Sequence, residues 1–272
     1  MRLDLHVHST ASDGVWSPEA VVRGAAAGGL DVIALADHDT TAGFAAAREV
    51  GRELDVQVVP AVEVSSTFQG RDVHVLGYFV DPRADAIVAH AERAGRRREE
   101  RMREMIARLA AGGRELRYED VERAAGPDRV IIGRPHLASA LVAAGHATSV
   151  QDAFVRLIGD QHEAFVPTHL LEPREAVEIV LAAGGVPVWA HPPGDLLDPL
   201  LPGLIEAGLR GLEVYRPRHV RTDVLRLEDI CRARRLLMSG GSDWHGPDGG
   251  SALGDFHVSA EEVAGLLEVG GM

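Results

Sequence analysis

Apolar and polar positions along the chain follow two alternating rhythms. Dense apolar runs mark strand candidates at residues 2–8, 31–37, 56–66, 72–80, 186–190, 211–215 and 236–239. Several, such as Val32-Ile33-Ala34-Leu35-Ala36, are apolar without a break, as expected of a parallel strand covered on both faces. Helical periodicity fills the gaps at 18–28, 41–54, 173–183, 199–207, 219–234 and 260–268. Ser17-Pro18 and Glu172-Pro173 supply the cap and first-turn proline that open two of these helices. Repeated strand–helix units predict either a parallel α/β barrel or an open doubly wound sheet.

The rhythm breaks between Asp81 and Phe165, where helices are predicted at 84–111, 118–125, 135–144 and 150–158 and no strand is. The first of these aligns Ile87, Ala91, Ala94, Met102, Met105 and Leu109 on one stripe, with Arg98 among them and Arg101 one turn beyond. The expected organisation is therefore a barrel built from 1–80 and 166–272, with 81–165 inserted as an all-helical subdomain beside the site.

Composition narrows the chemistry. The 272 residues are 46% hydrophobic and 25% charged, enough for a substantial core, and no apolar run reaches the ~20 residues of a membrane span. The start reads as a strand rather than a secretory leader. A net charge of −13 argues against a broad grip on nucleic acid. All 28 basic side chains are arginine, which excludes a Schiff-base lysine, a P-loop lysine and a carboxylated-lysine metal bridge. The single cysteine, Cys231, shares helical spacing with Val224, Leu227 and Ile230 and is assigned to the core. Cysteine usage fits a reduced, cytoplasmic setting.

The remaining polar signals gather where strands end. His6 and His8 close the first strand on one face, and Asp13 follows in a turn. Asp37-His38-Asp39 closes the second, Glu63 lies near the end of the third, and His74 sits within the fourth. His191 follows the fifth, and Asp243 and His245 follow the seventh. Taken singly, Asp37 and Asp39 read as caps of the next helix and Asp13 as a turn residue. Taken together on one rim of an α/β barrel, His6, His8, Asp13, His38, Glu63, His74, His191, Asp243 and His245 are nine nitrogen or oxygen donors. That number exceeds one tetrahedral zinc and suits two or three divalent ions sharing carboxylates.

This ordered set, with His74-Val75-Leu76-Gly77-Tyr78, Ala190-His191-Pro192 and Gly241-Ser242-Asp243-Trp244-His245, resembles the polymerase and histidinol phosphatase (PHP) family. The inserted Ile132-Gly133-Arg134-Pro135-His136 is similar to its nucleotide phosphoesterase subgroup, which includes 3′,5′-nucleoside bisphosphate phosphatases and a 5′→3′ exoribonuclease. The resemblance implies a distorted (β/α)7 barrel holding manganese, zinc or iron. It implies one ion on His6, His8, Glu63 and Asp243, a second on Glu63, His74 and His191, and a third on Asp13, His38 and His245. Subgroup members carry a lysine ahead of the stretch matching Ala164-Phe165-Val166-Pro167, and this chain has none. That phosphate contact is either absent or supplied by arginine or His162.

Three divalent ions, three carboxylates and six neutral imidazoles leave a local excess of about +3, which favours an anionic substrate. The expected reaction is hydrolysis of a phosphomonoester by a metal-bridging hydroxide, on the 3′-phosphate of a nucleoside bisphosphate. Short 5′-phosphorylated RNA and histidinol phosphate are the alternative substrates. The leaving oxygen takes its proton from metal-bound water, Asp13 or His219. Arg98, Arg101, Arg134, His136 and Arg216 are the expected phosphate contacts. Arg98 would be costly on an apolar stripe if unpaired, with Glu99, Glu100 and Glu104 as surface partners. His90, His146, His169 and His257 are expected to be ordinary surface or capping residues, and Trp189 and Trp244 to pack the rim. No membrane or obligate protein partner is expected. Two rivals are carbon–nitrogen bond hydrolysis, many of whose dinuclear sites need the missing lysine, and a non-catalytic metal-stabilised binding module.

Overall fold

The computed structural model of the protein describes residues 1–126, 131–166, 171–217, 219–247 and 251–272; His169 and Pro167 lie outside the described residues. Its strands are β1 (Arg2–Val7), β2 (Val32–Leu35), β3 (Gln57–Phe68), β4 (Arg71–Tyr78), β5 (Val186–Trp189), β6 (Gly211–Tyr215), β7 (Leu237–Gly240) and β8 (Val258–Ser259). They form one nearly closed sheet in the order β7-β6-β5-β4-β3-β2-β1-β8, the distorted α/β barrel expected, with a short eighth strand added. Helices α1 (Pro18–Ala27), α2 (Phe44–Leu54), α7 (Pro173–Ala182), α8 (Leu197–Ala207), α9 (Arg221–Arg234) and α10 (Ala264–Val269) accompany the strands.

The sheet is not wholly parallel, which corrects the simplest reading of the pattern. β4 runs antiparallel to both β3 and β5, and β8 runs antiparallel to β1. Only Gln69 and Gly70 separate Phe68 from its partner Arg71, and both take positive φ, 51° and 78°. Two residues in that conformation make a tight hairpin, whereas a parallel crossover needs a dozen or more. The reversal brings the first half of β4, with His74 paired to Ser65, to the end of the barrel where β3 delivers Glu63.

Irregularity in β1 also shapes the site. Leu3 and Leu5 pack with Val32, Ala34, Val59 and Ala61, but Val7 packs with Ile33 and Leu35 among the α1 and α2 side chains. The register slips between Asp4 and Val7, so His6 and His8 turn to the side that carries Glu63. The segment after β7 then closes on β1. The Asp243 N–H donates to the His6 carbonyl at 2.8 Å, and the His8 N–H donates to the Trp244 carbonyl at 2.9 Å. Gly241 permits this approach, because a Cβ there would lie 2.4 Å from the His6 nitrogen.

Between β4 and α7 run α3 (Asp85–Ala111), α4 (Tyr118–Ala125), α5 (Arg134–Ala143) and α6 (Val150–Ala153), the last continued by a π-helical turn, Phe154–Ile158. No strand occurs among the described residues of this stretch. Met102, Met105 and Leu109 of α3 join Leu137, Leu141 and Ile158 in a core of their own, while Ile87 packs into the barrel layer with Val177 and Val180. Helix α3 therefore spans both bodies. Cys231, Trp189 and Trp244 are buried as expected, with Trp16 edge-on to Trp244 at 4.8 Å. Among the described residues, no helix is long and apolar enough to cross a membrane.

Candidate metal centre

All nine donors anticipated from the strand ends meet at one mouth of the barrel. Glu63 is at the centre. Its Oε2 lies 3.1 Å from His6 Nε2, 3.2 Å from His8 Nε2 and 3.3 Å from His38 Nδ1. Its Oε1 lies 3.1 Å from His74 Nδ1 and 3.0 Å from His191 Nε2. Asp243 Oδ1 is 3.4 Å from both His6 Nε2 and His8 Nε2. On the far side, Asp13 Oδ1 is 3.3 Å from His245 Nε2, and its Oδ2 is 3.9 Å from His38 Nε2. Among the described residues, three overlapping sets are compact enough to hold an ion: His6, His8, Glu63 and Asp243; His38, Glu63 and His74; and His8, Asp13, His38 and His245. The first is the predicted set. In the second, His38 appears where His191 was predicted, although His191 Nε2 stands 3.2 Å from His74 Nδ1; the third gains His8.

The donor set fits divalent cations better than it fits itself. His6 Nε2, both ring nitrogens of His8 and Glu63 Oε2 are buried without a hydrogen-bond partner, despite the short separations above. Their lone pairs and protons are not aligned on one another. Donors ~2.0–2.1 Å from a tetrahedral zinc lie about 3.3–3.4 Å apart, close to the observed spacing. Burial also grades from a closed floor, with His6, His8 and Glu63 fully buried, to an open rim at His245, 36% exposed.

Surrounding groups orient these side chains. Glu213, on the inward face of β6, accepts from His6 Nδ1–H at 2.8 Å and from the His191 backbone N–H at 2.7 Å. This fixes the His6 tautomer with Nε2 toward the cluster. His245 Nδ1–H donates likewise to the Asp243 carbonyl at 2.9 Å. Buried Asp4 accepts from the Ser242 N–H at 2.8 Å and hydroxyl at 2.6 Å, setting the strand end before Asp243; burial pushes its carboxyl up to about 6. Asp37 accepts from the Ser9 N–H and hydroxyl and the Ser12 hydroxyl, holding the loop that delivers Asp13. It is not a helix cap, because α2 begins at Phe44 with Gly43 in the cap position. Asp39, His191 and Asp243 all take positive φ, of 57°, 34° and 57°. Non-glycine residues in that region are uncommon and concentrate at functional sites.

Electrostatics follow from the packing. Burial opposes protonation of His6, but Glu63, Glu213 and Asp243 outweigh it and hold the imidazole well above its usual range. His8 is pushed up to about 10, against its burial, by Asp243 and Glu63. Glu63 and Asp243 stay well below the carboxylate range, burial being overcome first by His6. Without cations, therefore, His8 carries an extra proton at neutral pH that an ion on His6, His8, Glu63 and Asp243 must expel. Cation affinity of that set is expected to rise with pH across pH 6–8, with at least one proton released as it fills, and titration calorimetry in buffers of different ionisation enthalpy measures this. Affinity and heat independent of pH and buffer would contradict it.

The expected phosphate contacts divide. Arg98 is not unpaired, so its place on an apolar stripe calls for no phosphate: its Nε and Nη2 reach Asp39 Oδ2 at 3.1 and 2.6 Å, a partner distant in sequence. Glu99 and Glu104 instead pair with Arg103 and Arg108. Arg101 donates from Nε to the Val166 carbonyl at 2.6 Å, but its buried Nη2 has no hydrogen-bond partner. Burial first, then the neighbouring Arg134, push Arg101 down to about 10. Arg134 pairs with Asp160 and lies over the Phe165 ring at 5.1 Å. His136 Nδ1 accepts from the Gly133 N–H at 2.9 Å inside the first turn of α5. Arg216 faces the centre itself, 2.9 Å from Asp243 Oδ2 and 3.4 Å from Glu213 Oε2. His219 Nδ1–H donates to the Val214 carbonyl at 2.9 Å, and His162 Nε2–H to the Val155 carbonyl at 2.6 Å. His90, expected at the surface, is buried and 2.9 Å from Asp39 Oδ1.

Residues 4–172 match the family model described as the PHP domain. A phosphoribosyl 1,2-cyclic phosphate 1,2-diphosphodiesterase of Eggerthella lenta is 38% identical over 94% of this chain and 99% of its own. A 3′,5′-nucleoside bisphosphate phosphatase of Chromobacterium violaceum is 31% identical over 93% of this chain and 90% of its own. A 5′-3′ exoribonuclease of Haemophilus influenzae is 32% identical over 93% of each. Among solved structures, one from Bifidobacterium adolescentis, provisionally described as a metal-dependent phosphoesterase, superposes with a TM-score of 0.86 at 32% identity, covering 97% of this chain and 95% of that one. A Chromobacterium violaceum protein described as an amidohydrolase, with bound sulfate and no metal, gives 0.84 at 30% identity, covering 93% and 91%. With its matched domain, full-length relatives and cation-ready cluster, the chain belongs to the PHP family and is a metal-dependent phosphoesterase.

Proposed function

We propose that this protein hydrolyses a phosphoester on a small ribose phosphate that carries a second phosphate group, with the 3′-phosphate of a 3′,5′-nucleoside bisphosphate as the first candidate bond. The observation carrying this reading is the buried, unpartnered Nη2 of Arg101 beside Arg134, one turn along α3 from Arg98, which pairs with Asp39 next to His38. A buried guanidinium with a like charge beside it is costly until an anion supplies the missing bonds. One phosphate then lies on the cluster and the other on Arg101 and Arg134, so the substrate-binding role falls to the inserted segment 81–165. The names of the Eggerthella and Chromobacterium relatives each describe a ribose with two phosphate groups.

His6, His8, Asp13, His38, Glu63, His74, His191, Asp243 and His245 are the residues that would hold two or three ions, with manganese, zinc and iron as candidates. Divalent ions there supply Lewis-acid charge and a nucleophile available at neutral pH. The protein's own contribution is orientation. Glu213 and Asp4 set the floor, and Arg216 sits against Asp243, where it can also face a phosphate oxygen. Asp13 is held well below the carboxylate range, burial being overcome by His38 and His245, so it is ill suited to donate a proton. His219, with Nδ1 committed and Nε2 left to exchange a proton, is the better protein group for the leaving oxygen.

The substrate assignment is tested with 3′,5′-bisphosphoadenosine, AMP, phosphoribosyl 1,2-cyclic phosphate, histidinol phosphate and a 5′-phosphorylated RNA oligomer. Phosphate is expected from the 3′ position of the first, with little turnover of AMP or histidinol phosphate. Arg134→Ala and Arg101→Ala should raise KM for the doubly phosphorylated substrate by about 10-fold or more, the worth of a charge-assisted bond, while changing kcat less. Histidinol phosphate as the best substrate would overturn the assignment. A second reading, opening of a cyclic phosphodiester on a phosphorylated ribose, is favoured by the 38% identity over 99% of the Eggerthella relative, and preference for the cyclic phosphate would support it.

A further inference from the structure

Helix α3 meets the metal centre at the carboxylate of Asp39. Asp39 follows His38 at the end of β2, and its backbone N–H donates to the Glu63 carbonyl at 2.9 Å. Its Oδ1 accepts from the Ser65 N–H at 2.8 Å and from His90 Nε2–H at 2.9 Å. Its Oδ2 accepts from Arg98 Nε–H at 3.1 Å and Nη2–H at 2.6 Å. Arg98 Nη2 also donates to Ser65 Oγ at 2.9 Å, and that hydroxyl lies 3.5 Å from His38 Nδ1. Four donors fill the acceptor positions of one fully buried carboxylate. His90 and Arg98 are eight residues apart in α3, about two turns, and so share a face. The left-handed backbone of Asp39 suits an aspartate or asparagine and disfavours bulkier residues.

We infer that Asp39 is a positioning residue: it braces His38 and Glu63 from the backbone side and, through His90 and Arg98, fixes α3 above them, so that seating of the helical insert and cation affinity at His38 rise and fall together. The hydrogen-bond chain gives the coupling a physical path. A shift of α3 moves Arg98, Arg98 moves Asp39 and Ser65, and these adjoin His38 and Glu63. By linkage, an ion that holds His38 in place must also stabilise the seated helix. The inference rests on His38 being a ligand, as proposed above.

The test uses the full chain and Mn2+ alone as probe. Calorimetry gives affinity and stoichiometry, and amide hydrogen exchange follows residues 85–98 with and without the ion. In the wild type, Mn2+ should slow exchange across this segment. Asp39→Asn, which removes the charge and presents an N–H to existing donors, should stay folded by circular dichroism but bind at least one Mn2+ ~10–100-fold more weakly. It should also lose the ion-dependent protection of α3 and show a kcat at least tenfold lower with KM within about threefold. His90→Ala, which removes one donor and leaves Arg98 paired, should weaken affinity less and reduce protection in step; it serves if Asp39→Asn does not fold. Wild-type affinity with intact protection in either variant overturns the inference. So does a raised KM with unchanged kcat in Asp39→Asn, which would make Arg98 a substrate contact. His38→Ala separates the two layers: if it binds Mn2+ as the wild type does, the ligand assignment falls too, and if it alone loses an ion, only the positioning role falls.

Discussion

Glu63→Gln should lower kcat by at least ~1000-fold, a barrier increase of about 4 kcal/mol, and strip the protein of most of its bound metal. Both Glu63 oxygens face imidazole nitrogens, three at Oε2 and two at Oε1, all within 3.3 Å. An amide nitrogen at either position places a donor where two or three lone pairs converge, and the substitution removes the negative charge shared by two of the three candidate sets. The backbone is not the cause, because Glu63 keeps its N–H bond to the Asp37 carbonyl and its carbonyl bond from the Asp39 N–H. Steady-state kinetics with metal analysis of the dialysed variant measures both effects. A variant keeping kcat within tenfold would show that Glu63 does not join the ions.

The second large effect belongs to the closing strand end. His8→Ala and Asp243→Ala should each abolish measurable turnover, a loss again of ~1000-fold or more. Asp243 is 3.4 Å from both His6 and His8, and it neutralises one side of Arg216. Its backbone at φ 57° disfavours alanine, so Asp243→Asn, which tolerates that conformation, separates loss of charge from strain. Asp243→Asn should remain folded and lose an ion, as judged by melting temperature and metal content. Turnover unchanged in Asp243→Ala would count against the whole arrangement, because this residue and His8 share the best-buried ion position.

Much of this centre is visible in the chain before folding, because catalytic rims gather at strand ends and strands announce themselves by dense apolar runs. His6 and His8, Glu63, and Asp243 with His245 each follow or end such a run, and all reach one mouth. Direction is less visible. The apolar pattern of β4 is the same whichever way the strand runs, and only the two-residue connection at Gln69-Gly70 betrays the reversal. β8 is two residues long and leaves no periodicity to read. The supporting shell was largely missed because its meaning lies in distant partners. Glu213 looks like an ordinary strand residue, yet an acid on the buried face of Gly211–Tyr215 is a signal in itself, since such a charge must find donors. Arg98 stands out by its place on the apolar stripe of α3, but that place does not name its partner, and nothing local distinguishes His90 from its exposed neighbours. Asp39, remote in sequence, makes the difference.

Turnover requires histidine nitrogens and carboxylate oxygens from six barrel strands to hold divalent ions at one mouth, where the phosphoester is cleaved. Anomalous diffraction from crystals grown with Mn2+ and 3′,5′-bisphosphoadenosine tests it most directly. Two or three peaks are expected, with Glu63 beside at least two of them, and the second phosphate on Arg101 and Arg134. A map with no peak among His6, His8, Glu63 and Asp243 would contradict it.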